Sequence, residues 1–127
     1  MIITYDNSSL IDNDCYLHDS GITFIQYDPL KRSLNLKLDT MLDEETQSDK
    51  VEIIINNVQY IELDNQEIPY INGLNRLNGW ECIPLSKVNN FNKCNIFNNK
   101  RPFAVMFEFL CWAKLYVVTT EIQFKRI

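Results

Sequence analysis

A two-residue alternation recurs along this chain while no helical stripe appears, and that contrast limits its fold more than any other feature. Leu34, Leu36 and Leu38 alternate with Asn35, Lys37 and Asp39. Successive strand residues point to opposite faces, so this segment sets one face on a core and the other toward water. Ile122 and Phe124 alternate in the same way with Glu121, Gln123 and Lys125. No window carries apolar residues at i, i+3, i+4 and i+7, the pattern an amphipathic helix requires. Only residues 41–46 and 86–91 leave room for a short helical turn.

Turn chemistry divides the chain into strands. Asp28-Pro29-Leu30-Lys31 joins two strand-like segments. Proline pre-sets the turn and the aspartate is suited to bond its own backbone, which predicts a hairpin of residues 22–28 and 33–39. A polar connection over residues 42–50 leads into Val51-Glu52-Ile53-Ile54-Ile55, whose β-branched residues favour a strand. Val51, Ile53 and Ile55 are odd-numbered, whereas Val58 and Tyr60 are even, so a bulge or bend at Asn56-Asn57 is expected, with the strand continuing to Leu63. Asn72-Gly73 and Asn78-Gly79 read as turns, followed by a short strand that Pro84 ends. Residues 86–101 are rich in asparagine and read as a long loop. Residues 103–111 are expected to pair with 114–124. Both faces of the first of these are apolar, which suits a central strand covered on both sides, the alternative being a surface covered by a partner. The expected fold is all-β: a single domain over residues 1–127, forming an antiparallel β-sandwich or strongly curved sheet of about seven or eight strands with little helix. A closed barrel is the alternative.

Composition and charge remove several functional classes. With 46% hydrophobic residues in 127, the chain suits one packed core. Its apolar runs fall well short of the roughly 20 residues that a spanning helix needs, so no membrane association is expected. The start Met1-Ile2-Ile3-Thr4-Tyr5-Asp6 lacks the basic and apolar blocks of a secretion signal, which points to the cytoplasm. There the widely spaced Cys15, Cys82, Cys94 and Cys111 are expected to be reduced. They offer no close pair for zinc. Residues 1–67 hold 14 acidic and 4 basic side chains, and residues 68–127 hold 3 and 8, for a total charge of −5. That acidity is a poor match for nucleic acid, which needs clustered Lys and Arg.

Catalytic constellations are equally hard to find. His18 is the one histidine. A Cys-His hydrolase would pair it with a cysteine and with Asp19, but neighbouring strand residues face opposite ways. A histidine at a strand end bonding backbone, with Asp19-Ser20-Gly21 making the turn, accounts for the same residues. The carboxylates Asp43, Glu44, Glu45 and Asp49 imitate a glycosidase pair, yet they lie in a polar connection where solvation keeps acids ionised. Asp12-Asn13-Asp14 lacks the glycine and terminal glutamate of a calcium loop. No catalytic residue, cofactor or metal is assigned, and the chain is read as no enzyme.

Leu17-His18-Asp19-Ser20-Gly21-Ile22, Ile25, the Leu34-Leu36-Leu38 strand, and residues 51–55 followed by Asn57-Val58 resemble a group of small bacterial β-rich proteins with a histidine-aspartate pair before the first hairpin. The likeness spans residues 16–63. Several of those proteins are immunity-protein-like, encoded beside polymorphic toxins. The resemblance implies a non-enzymatic, cytoplasmic protein-binding domain, and the acidic first half implies a basic partner such as a toxin. The candidate partner-binding residues are Asp39, Asp43, Glu44, Glu45 and Asp49. A β-sandwich that binds a small ligand is the alternative.

Overall fold

The structure, a computed structural model, describes residues 1–13, 15, 17–40, 49–64, 76–88, 100–109 and 113–127, with Asn13 and Asp49 described by their backbone. Among the described residues helix is confined to short pieces: 3₁₀ turns at Tyr5–Asn7 and Leu85–Lys87, and α1 at Leu10–Asn13. The strands are β1 (Ile2–Ile3), β2 (Ser20–Asp28), β3 (Ser33–Thr40), β4 (Asp49–Asn56), β5 (Tyr60–Asp64), β6 (Arg76–Ile83), β7 (Phe103–Phe109), β8 (Lys114–Thr119) and β9 (Glu121–Arg126). They form one antiparallel sheet in the order β1-β9-β4-β3-β2-β6-β7-β8-β5, with β1 and β5 at its edges. The expected all-β class is the observed one, and the sheet, which both a sandwich and a curved sheet accommodate, is not closed into the alternative barrel.

The first hairpin forms as its turn chemistry predicts. The Asp28 carboxylate accepts hydrogen bonds from the N–H groups of Leu30 at 3.0 Å and Lys31 at 3.3 Å. Arg32 then takes the left-handed conformation, at φ 50°, and turns the chain into β3. Register follows the alternation: Leu34, Leu36 and Leu38 lie opposite Ile55, Ile53 and Val51, and all six are buried. A slip of one residue would turn every one of them to solvent, so burial fixes the pairing.

Two bends give the sheet its curvature. β4 continues into β5 through Asn57, at φ 52°, while β8 continues into β9 through Thr120. The two bent strands run side by side, β4 against β9 and β5 against β8. Residues 57–59 on one strand oppose 119–120 on the other, an added residue of the kind that bends a ladder. Side chains occupy the gap. The buried Thr119 hydroxyl donates to the Asn56 carbonyl and accepts from the Glu121 N–H, and the Asn57 amide donates to the Thr120 hydroxyl. The expected bend at Asn56-Asn57 is therefore present. The even parity holds only for Val58, because Ile61 returns to the core and Tyr60 packs on the outer face.

The sheet wraps one core. Trp80 of β6 stacks on Phe107 of β7, with ring centroids 5.4 Å apart, and on Phe124 of β9 at 6.1 Å. β6 and β9 are separated by β4, β3 and β2 in the strand order, so the second contact joins two distant parts of the sheet across the interior. A small second cluster, Val88, Ala104 and Val118, lies on the outer face with Ile83 and Leu85 packed against it. This explains the doubly apolar residues 103–109: β7 is a central strand, between β6 and β8, with both faces buried.

Two sequence expectations need correction. Asn78-Gly79 is no turn but lies inside β6, where the register against β7 shifts between Leu77 and Gly79. Burial of Leu77 and Trp80 on either side held the segment in the sheet, and the glycine serves a bulge instead. Residues 114–124 are no single partner of β7, since pairing with β7 ends at Thr119 and β9 crosses to β4. The turn expected at Asn72-Gly73 and most of the asparagine-rich loop lie outside the described residues.

Candidate functional site

The candidate site is the hairpin of β2 and β3, and it arises from where β2 loses its second neighbour. β2 pairs with β3 from Gly21 to Asp28, but with β6 only at Ser20 and Gly21. Among the described residues, no strand lies on its other edge from Ile22 to Asp28. A bulge at Thr23, whose hydroxyl donates to the Lys37 carbonyl at 3.1 Å, shifts the side-chain parity from Phe24 onward. Phe24 thus stands on the outer face, with the Lys37 ammonium 5.3 Å from its ring centroid. Ile25 and Tyr27 face the same way as their buried partners Leu36 and Leu34, yet they are 49% and 37% exposed. At the tip, Leu30 is 95% exposed.

Large apolar side chains standing in water are ordinary when scattered. Here Phe24, Ile25, Tyr27 and Leu30 share one hairpin beside a backbone edge that no strand among the described residues pairs. Natural edge strands are usually blunted by charge, proline or a cover, because exposed N–H and C=O groups invite a further strand. Chemically, this edge is suited to hydrogen-bond an extended peptide while its alternate side chains contact that peptide's own.

The proposed acidic surface falls elsewhere. Asp39 lies at the far end of β3 from the hairpin tip, opposite Gly21 on one side and Lys50 on the other. Asp49 opens β4 opposite Thr40. Asp43, Glu44 and Glu45 lie outside the described residues. The acidic first half is also interleaved with the basic second half. Arg76 approaches Asp19 at 3.0 Å and Lys125 approaches Glu52 at 3.4 Å.

His18 and Asp19 part company. The His18 ring lies 2.9 Å, through Nδ1, from the Asn78 carbonyl, while Asp19 takes the left-handed conformation at φ 59° and pairs with Arg76. Each thereby ties the start of β2 to β6. The Asp19–Arg76 pair is half-exposed and contributes little stability. Trp80 belongs to the core, with its indole N–H donated to the Cys15 carbonyl at 2.7 Å. Trp112 lies outside the described residues. Cys82, half-buried on β6, has its thiol pKa pushed above the ordinary value by burial, against a smaller lowering by Ser8. Tyr60 is held above the usual phenol value, chiefly by its 2.7 Å hydrogen bond to Glu62. Among the described residues no three His, Cys, Asp or Glu side chains are grouped to hold a metal, and no helix is long and apolar enough to cross a membrane.

The apolar edge is what sequence reasoning missed. Its signal was Phe24 and Ile25 in succession, followed by Tyr27, which places apolar side chains on both faces of an early strand. Comparison of the chain with models of protein families, with curated protein sequences and with solved structures finds no match.

Proposed function

We propose that this chain is a non-enzymatic protein-interaction domain that takes up an extended segment of its partner as an added strand along the β2 edge from Ile22 to Asp28. The observation that carries the reading is that edge, which no strand among the described residues pairs, with Phe24, Ile25 and Tyr27 exposed along it. The resemblance of residues 16–63 to immunity-protein-like domains, noted from the sequence, includes this hairpin and agrees with the reading. In that role the partner is a basic toxin met in the cytoplasm, and the chain's charge of −5 favours its encounter by long-range attraction.

The test is co-expression with the product of the neighbouring gene, reading growth and the dissociation constant. Wild type should bind and restore growth. The double variant Ile25→Lys/Tyr27→Lys should weaken binding by at least about tenfold, the scale of losing central interface contacts, while its circular dichroism stays native. Equal neutralisation by the double variant would remove the edge from the interface. Loss in Asp39→Lys/Asp49→Lys with retention in the edge variant would move the interface to the acidic end. A neighbouring product that neither binds nor harms the cell would end the immunity role.

A further inference from the structure

A groove of about 530 Å³ lies where the N-terminal turns meet the end of β6 and the entry to β7. Its volume falls within the range of small-molecule sites, roughly 300–1,000 Å³. The walls are mixed. Leu85 and Pro102 are among its apolar residues, and Ser8, Asp12 and Arg101 among its polar ones.

Arg101 gives the groove its chemistry. The guanidinium carbon sits 3.8 Å from the centroid of the Tyr5 ring, within cation–π range, which holds the head group at the groove. A cation–π contact consumes none of the guanidinium N–H donors, which match a carboxylate in a two-point fork. No carboxylate lies within ion-pair distance of it among the described residues. The surroundings add positive charge. Lys87 lies in the turn after Leu85, and the half-exposed Lys100 precedes Arg101, reaching Glu121 only at 4.0 Å. Asp12 also lines the groove, its carboxylate accepting the Cys82 N–H at 3.2 Å. A second negative charge on a ligand would therefore meet repulsion.

We propose that this groove binds a small monocarboxylate with an apolar body, the carboxylate on the edge of Arg101 and the body along Leu85 and Pro102. The site is separate from the β2 edge, and its failure would leave the protein-interaction reading standing.

Octanoate, octanol and octyl phosphate, titrated into the isotopically labelled full chain, test this by amide chemical shifts. Octanoate should bind, shifting the amides of Tyr5, Cys82 and Arg101, with a dissociation constant at least about tenfold below that of octanol. Octyl phosphate should bind no more tightly than octanoate. Arg101→Gln, a surface change that should leave the remaining spectrum native, should bring octanoate to the level of octanol. Tyr5→Leu, which keeps the wall apolar and removes the ring, should weaken octanoate more than octanol. The proposal is overturned if octanol binds as tightly as octanoate, if Arg101→Gln leaves octanoate unchanged, if the shifts map away from the groove, or if octanoate fails to bind at millimolar concentration.

Discussion

Asp28 closes the first hairpin by accepting the Leu30 and Lys31 N–H groups. Asp28→Ala should cost about 0.5–1.5 kcal/mol in urea unfolding. Asp28→Asn keeps an acceptor oxygen and should recover most of that. Equal losses in the two variants would mean that the turn does not depend on this acceptor. Deeper in, Leu36 is wholly buried between β2 and β4, and Leu36→Ala should cost about 2–5 kcal/mol through lost burial and a cavity. Cys82 makes a pH prediction. Its raised pKa means that the folded state holds the thiol proton more tightly than the unfolded chain does. The associated stability is complete below the ordinary thiol pKa and lost as pH rises through the raised value. Cys82 should react with iodoacetamide more slowly than an exposed thiol at pH 8, and Cys82→Ala should lose less stability than wild type as the solution is made alkaline. Alkylation at the rate of a free thiol would contradict the burial argument.

At the scale of elements, the bends decide the shape, and they depend on side chains that suit their backbone. Asn57 holds φ 52°, a conformation that asparagine tolerates and β-branched residues resist. Asn57→Val should therefore cost about 1–2 kcal/mol from the strain of that region alone, whereas Asn57→Gly, free of that strain, should lose only the hydrogen bond to Thr120, about 0.5–1.5 kcal/mol. Gly79 behaves oppositely to what its Asn-Gly context suggests. It has no positive φ, and a Cβ placed there meets nothing within 4 Å. Gly79→Ala should then change stability by no more than about 1 kcal/mol, with gain favoured by the smaller freedom of the unfolded chain. A large loss would show that the bulge needs glycine itself.

For the whole molecule, one core shared by distant strands implies one cooperative transition. Trp80, stacked on its neighbour Phe107, meets Phe124 across the interior, so neither region buries its apolar face alone. Tryptophan fluorescence and far-ultraviolet circular dichroism should report the same urea midpoint, and separated midpoints would mean that the sheet unfolds in parts. The sequence by itself determined the class of this fold, because period-two alternation at Leu34, Leu36 and Leu38 and turn chemistry at Asp28 act between residues near in the chain. It also anticipated the bend at Asn57 and the double burial of β7. Tertiary structure alone decided that residues 114–126 split between two neighbours and that Asn78-Gly79 stays within a strand. It alone left Ile25 and Tyr27 exposed on an edge that no described strand pairs, and set Arg101 over Tyr5 in a groove that Asp12 also lines. Those outcomes depend on which strand lies beside which, a competition among long-range pairings whose free energies come from shared burial and leave no local periodicity to read.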